Sequence, residues 1–268
     1  MVRVLLHMQL FCLALIVSAT ATASDREADI LSAGVLRVCI WPDYYSITYR
    51  DPHSGLLGGI DIDMAEAFAE SLGVAVDFVD SSFALLVENL LQDRCDIAMH
   101  GVGVRADRAR DLDFSHPYLI SDIYAVKDAA NDDITAWSDI DRVGNIVVVQ
   151  KGTYMEPVMQ EYLTQAQLTV VDDFIAREQE VQSGRADVFM TDYPYGIKMA
   201  RLSGWAELIS PDQPLVQTPY AYAVSKGQPS WLNRIDRFLE EVSRDGRLVA
   251  SAQRHGLMPA LNLRPANE

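Results

Sequence analysis

Apolar positions along the chain switch repeatedly between a period of two and a period near 3.6. That alternation predicts strands interleaved with helices. A short lead-in helix over residues 29–33 stops at Gly34, and residues 35–40 form an apolar strand. Residues 49–59 are rich in turn formers (Asp51, Pro52, Ser54, Gly55, Gly58, Gly59) and read as a hairpin-like excursion. Asp61 is placed to cap a helix over residues 62–72 that ends at Gly73. Residues 74–79 are a strand. Residues 82–92 put Phe83, Leu86, Val87, Leu90 and Leu91 on one helix face, and residues 96–99 return to a strand. Strand–helix–strand–helix–strand is the doubly wound pattern with parallel strands, in which ligands bind outside the C-terminal strand ends.

The pattern then recurs. Residues 123–126 are a short extended run. A strand over 145–149 ends in Gln150-Lys151-Gly152-Thr153-Tyr154, and the next helix carries Met155, Val158, Met159, Tyr162 and Leu163 on one face. A strand over 168–171, a weaker helix over 175–183 and a strand over 186–190 lead into Thr191-Asp192-Tyr193-Pro194-Tyr195. A helix to about residue 203 and a strand over 207–209 close this unit. Residues 220–224 are extended. The helix 230–244 turns Trp231, Ile235, Phe238, Leu239 and Val242 inward, and a last helix covers 247–255. These late helices need a sheet to cover, and the first unit is the natural partner. The expectation is an α/β protein of two lobes, residues 24–120 plus 221–268 and residues 121–220, each with a doubly wound sheet. The chain would cross near 119–124 and 217–222, two strands that make a hinge beside a crevice.

The N-terminus bears on compartment. Arg3 precedes an apolar run over 4–17, and Ala21-Thr22-Ala23 supplies a small-x-small cleavage pattern, so residues 1–23 read as a secretory signal peptide. No later run reaches the length of a membrane span. The formal net charge of -16 argues against nucleic acid and anionic membranes as partners. Cys12 falls within the signal. Cys39 and Cys95 remain, free to pair in an oxidising compartment or to sit as buried thiols. His53, His100, His116 and His255 lack metal-ligand spacing, and neither a phosphate-binding loop nor a nucleophile elbow is present. No metal or cofactor is expected.

The stretch Asp96–Tyr118 (DIAMHGVGVRADRARDLDFSHPY) concentrates the candidate chemistry. Its strand is expected to end on His100. Gly101 and Gly103 then let the backbone approach a ligand, and an arginine-rich turn follows. Arg108 is the candidate donor to a carboxylate, because its planar guanidinium offers two parallel N–H groups. Trp41 and Tyr44 lie at another C-terminal strand end and can face the same crevice. Phe83 opens an apolar helix face, which suits core packing as well as ligand contact. Asp192 suits both a helix cap and a cation partner.

Taken in order, Gly59-Ile60-Asp61-Ile62-Asp63-Met64-Ala65, Cys95-Asp96-Ile97-Ala98-Met99, Arg108, Asp113-Phe114-Ser115-His116-Pro117-Tyr118, Gly152-Thr153 and Ala186-Asp187-Val188 with Asp192 carry a likeness. Over nearly all of the mature chain, the sequence resembles the family 3 periplasmic solute-binding proteins, the polar amino acid receptors of ABC importers. The resemblance implies a type II periplasmic binding protein fold, a monomer that closes on a small ligand and a membrane permease as partner. It implies that Arg108 clamps the ligand α-carboxylate and Asp192 takes the α-ammonium. Tyr44 and Phe83, with Trp41, would sandwich the ligand. His100, Gly101 and Gly103 would line the site, and Thr153 and Tyr154 would add the second lobe's contribution. Gly103 stands where family members usually have a hydroxyl, and Trp41 where several have an acid. More distantly the chain resembles cyclohexadienyl (arogenate) dehydratase, an enzyme of the same fold that eliminates water and carbon dioxide. Tyr195 occupies the place of that enzyme's candidate general acid, and Glu156 is the nearest spare acid. A ligand-sensing partner of a membrane receptor or periplasmic dehydrogenase is the third reading.

Overall fold

The computed structural model describes residues 25–262, so the signal peptide read over residues 1–23 lies outside the described residues. The chain opens with α1 (Arg26–Ala33) and β1 (Val35–Ile40). The excursion that follows is a small three-stranded sheet of β2 (Asp43–Tyr44), β3 (Thr48–Arg50) and β4 (Leu57–Gly58). α2 (Ile60–Leu72), β5 (Ala75–Asp80) and α3 (Leu86–Leu91) come next. β6 (Ile97–Gly103), β7 (Leu112–Phe114) and β8 (Leu119–Ser121) complete the first pass. The second unit holds β9 (Tyr124–Asp128), β10 (Ile146–Gln150), α4 (Met155–Tyr162) and β11 (Gln167–Val171). It continues through α5 (Phe174–Gln182), β12 (Val188–Thr191), α6 (Tyr193–Leu202) and β13 (Ala206–Ile209). β14 (Thr218–Ser225), α7 (Pro229–Arg244) and α8 (Arg247–Arg254) finish the described chain.

Two main sheets form, on one plan. The first has the order β5-β1-β6-β14-β7 with β8 beside β14, and the second β11-β10-β12-β9-β13. In each, three parallel strands sit at one side and an antiparallel strand follows. The sheets are therefore mixed, where the alternating pattern predicted parallel strands throughout. The reason is topological: the antiparallel members, β9 and β14, are the strands next to the crossings. The chain leaves the first sheet between β8 and β9 and returns between β13 and β14, and Thr218 pairs with Ser121 where the two routes run together. Asp122 ties them further, accepting from the N–H groups of Leu215 and Val216, each at 2.9 Å.

The amphipathic helices find the sheet they need. Phe68 of α2 stacks on Trp231 of α7 with ring centroids 5.3 Å apart, and meets Phe238 at 4.7 Å. All three are buried, as are Ile235, Leu239 and Val242. Each such side chain removed from water contributes about 1.5–3 kcal/mol. The indole of Trp231 donates to the Asp96 carbonyl at 3.0 Å, which satisfies its one polar atom. Cys39 and Cys95 are joined as a disulfide across 56 positions, so the first of the two readings of these cysteines holds. Among the described residues no helix is long and apolar enough to cross a membrane.

Two local expectations are corrected. Asp61 does not cap α2; it lies in the first turn, fully buried, because the helix begins at Ile60. The helix predicted over 82–92 is shorter, Leu86–Leu91, with Phe83 in the turn before it.

Candidate ligand-binding site

The C-terminal ends of β1, β6, β10 and β12 converge on one cavity between the two sheets. Trp41, Tyr44, Phe83, Gly101, Gly103, Arg108, Thr153, Tyr154 and Asp192 line it, so nine of the ten residues named from the sequence meet there. Little free space is left in it. The lobes touch directly around it.

The small sheet explains the aromatic wall. Thr48 donates its hydroxyl to the Trp41 carbonyl at 2.6 Å, and the Tyr44 N–H donates to the same carbonyl at 3.1 Å. That folds the loop so that Trp41 stands 5.1 Å from both Tyr44 and Phe83 by ring centroids. Phe174 of the second lobe meets Trp41 at 5.6 Å, so the aromatic cluster spans the crevice. Gly101 is required beneath these rings. Its φ is +60°, and a Cβ there would come within 2.9 Å of the Tyr44 ring.

Arg108 sits in a single 3-10 turn, Arg108–Arg110, and is 5% exposed. Its guanidinium donates to the Gly103 carbonyl at 3.0 Å and, across the crevice, to the Gly152 carbonyl at 2.9 Å. Gly103 fits closely against Thr218, where a Cβ would lie at 3.0 Å; toward the guanidinium, at 3.8 Å, it would make only an ordinary contact. Burial, helped by Arg105, pulls Arg108 down to about 10, so it keeps its charge at neutral pH. Arg105 also crosses, donating to the Thr153 carbonyl at 2.8 Å.

Asp192 faces Arg108 from the other lobe, at the N-cap of α6. One carboxylate oxygen accepts from the Tyr195 N–H at 3.2 Å. The other accepts from the Tyr44 hydroxyl and, at 2.7 Å, from the Tyr220 hydroxyl. Capping and facing the cavity are thus compatible in one side chain. Burial pushes its carboxyl up to about 6, against the opposing pull of the Tyr220 and Tyr195 donors. Thr153 donates to the Gln150 carbonyl at 2.7 Å, and the Tyr154 hydroxyl to the Asp122 carbonyl at 2.7 Å, linking the site to the crossing segments.

His100 is the exception. β6 does not stop at His100 but runs to Gly103, and the alternation of the strand turns His100 away from the cavity. Its Nδ1 lies 3.2 Å from the Cys39 carbonyl, and burial pulls the imidazole down to about 4, which keeps it neutral. The Gly101 backbone, expected to approach a ligand, has its N–H already engaged. That N–H donates to Asp61 at 2.8 Å, and Asp61 also accepts from the Tyr118 hydroxyl at 2.6 Å. Asp61, pushed up to about 7 by burial, holds β6 in place from behind.

Six lining residues were not assigned from the sequence: Gln150, Met155, Arg177, Thr191, Tyr195 and Tyr220. Gln150 and Thr191 close strands whose C-terminal ends point at the crevice, a signal that strand position alone supplies. Tyr195, at the place of the dehydratase's candidate general acid, lines the cavity, and its hydroxyl donates to Glu178 behind it. Glu156, the spare acid, accepts from the Gly152 N–H at 2.9 Å and is not among the lining residues. No group of three His, Cys, Asp or Glu that could hold a metal occurs among the described residues.

The cyclohexadienyl dehydratase of Pseudomonas aeruginosa is 32% identical over 243 residues, covering 89% of each chain. The L-cystine-binding protein of Bacillus subtilis is 27% identical over 235 residues, covering 85% of this chain and 83% of that one. The crystal structure of an ancestral amino acid-binding protein, a precursor of cyclohexadienyl dehydratase, superposes with a TM-score of 0.78 at 30% identity, over 85% of this chain and 98% of its own. The two-lobed α/β fold is what this chain shares with that structure. Residues 36–257 match the bacterial extracellular solute-binding proteins, family 3, and the chain belongs to that family.

Proposed function

We propose that this protein captures a small amino acid between its lobes, outside the cytoplasm, and delivers it to a membrane ABC importer. The observation that carries this reading is that Arg108 and Asp192 line one cavity from opposite lobes. A zwitterion offers both complementary charges. Arg108 takes the α-carboxylate, exchanging its hold on the Gly103 and Gly152 carbonyls for a charged acceptor. Asp192 takes the α-ammonium, and Trp41, Tyr44 and Phe83 cover the apolar part. Each charge-assisted bond contributes about 1.5–3 kcal/mol net. A ligand that touches both lobes favours the closed arrangement; one that touches a single lobe does not. Calorimetry with a panel of amino acids tests this. Arg108→Ala should weaken the tightest ligand about 100-fold or more, two bonds' worth. Binding undisturbed by that change would remove Arg108 from the site.

A second reading, a dehydratase acting on prephenate or L-arogenate, draws on the 32% identical relative. It also draws on Tyr195 of the cavity lining, whose hydroxyl, at the place of the missing general acid, bonds to the Glu178 carboxylate. Incubation with either compound and detection of new aromatic absorbance decides it. Product lost in Glu178→Gln with binding kept would favour the enzyme. No product from either compound would exclude it.

A further inference from the structure

Arg177 has no part in the roles above, yet it is buried in the wall of the same cavity, 3% exposed, on α5. One of its terminal nitrogens donates to the Met190 carbonyl at 2.9 Å. Its Nε has no hydrogen-bond partner among the described residues. Its guanidinium lies over the faces of Phe189 and Tyr195, 4.6 and 4.8 Å from their centroids. The adjacent carboxylate, Glu178, is engaged with the Tyr195 hydroxyl instead. A buried guanidinium whose neighbouring carboxylate, Glu178, is already bonded to a hydroxyl keeps a donor that an anion can take. Ring faces hold its position but do not neutralise it.

The charges lining the cavity make the same point independently. Arg108 and Arg177 are positive and Asp192 is negative, so the ionised wall carries one net positive charge. A simple zwitterion satisfies Arg108 and Asp192 and leaves Arg177 over. Gln150, on the same wall, also keeps its side-chain oxygen unpartnered, and so can accept from a ligand donor.

We infer that the ligand is an amino dicarboxylate of net charge -1, whose second carboxylate meets Arg177. This rests on the amino acid reading of the site and sharpens it. Arg108 and Asp192 hold the amino acid end, and Arg177 selects the far end. A cationic side chain is disfavoured, because it would be placed beside a buried guanidinium with no acid between them.

The test is calorimetric titration of the whole mature protein with L-glutamate, L-aspartate, L-arogenate, L-glutamine and L-arginine. One of the three acids should bind at least about tenfold tighter than glutamine or arginine, the expected order for one charge-assisted contact. Arg177→Met should lower that acid's affinity by about tenfold or more and leave glutamine within about threefold, whereas Arg177→Lys, which keeps the charge, should retain the preference. Thermal unfolding confirms that each variant is folded, and the wild-type selectivity needs no variant. Glutamine or arginine binding as tightly as the acids would overturn the Arg177 subsite and leave amino acid capture standing. Binding of none of the five would overturn the Arg177 subsite, and the wider amino acid panel then decides amino acid capture.

Discussion

Asp192 is asked to do two things that pull against each other: stay buried and stay charged. Burial pushes its carboxyl up to about 6, above the ordinary 3.8. The folded protein therefore holds this proton more tightly than the unfolded chain, and stability falls as pH rises from about 4 to about 6. Relative to wild type, Asp192→Asn should gain about 3 kcal/mol between pH 4 and pH 7, read from denaturant unfolding at the two pH values. Ligand affinity should run the other way. An ammonium needs the ionised carboxylate, so affinity should be flat from pH 7 to 8 and weaken about tenfold per unit below about 6. Asp192→Asn should bind weakly and without that slope. Arg108 and Asp192 were legible in the sequence because each follows an apolar strand that points at the crevice and each falls at a position to which the family resemblance gives a role. Arg177 was not. It lies in Phe174–Gln182, a weakly patterned helix where an arginine among Glu178, Gln179 and Glu180 reads as a solvated face.

At the scale of elements, the disulfide and β6 deserve to be considered together. Cys39 is the penultimate residue of β1, and its carbonyl lies against His100 of β6 while its sulfur holds Cys95. The bridge thus fixes the two strands whose ends carry Trp41 and Gly101. It closes a loop of 56 positions, which on the chain-entropy account stabilises by about 4 kcal/mol. Reduction, or Cys39→Ala with Cys95→Ala, should lower the melting temperature by about 10 °C in calorimetry, and unchanged melting would show that the bridge constrains little. Long apolar elements were read nearly to the residue: strand 35–40 matches β1, and helix 230–244 begins one residue later than α7. The end of β6 was misread. Gly101 and Gly103 look like a turn, but the strand passes through them with a register shift in its pairing to β14 between Ala221 and Ala223. Asp61 was misread for a related reason. Gly59, with φ 130, lets α2 start early enough to bury that carboxylate.

For the whole molecule, the account turns on two lobes that move against each other about Leu119–Ser121, Asp122 and the return into Thr218–Ser225. Asp122 accepts two backbone N–H groups from the opposite crossing segment, and its carbonyl accepts from Tyr154 of the cavity wall. Asp122→Ala would leave those N–H groups without their acceptor, at about 1–3 kcal/mol of stability. It should also change ligand affinity several-fold although its carboxylate lies outside the cavity lining, as titration of the variant would reveal; a stability loss with affinity intact would make it a plain structural tie. The recurrence of the strand–helix pattern made the two lobes legible. The hinge and the closure were expected as well, but the contacts that make the closed arrangement, such as Arg105 to Thr153, were not legible, because they link segments far apart in sequence. The most direct test of two-ended capture is a chemical cycle at the carboxylate. The tightest-binding amino acid and its α-methyl ester are titrated into wild type and Arg108→Ala. If Arg108 grips the α-carboxylate, the ester should bind wild type at least about tenfold more weakly than the acid, and the variant should hardly distinguish the two. Equal binding of acid and ester to wild type, or the same loss in both proteins, would contradict it.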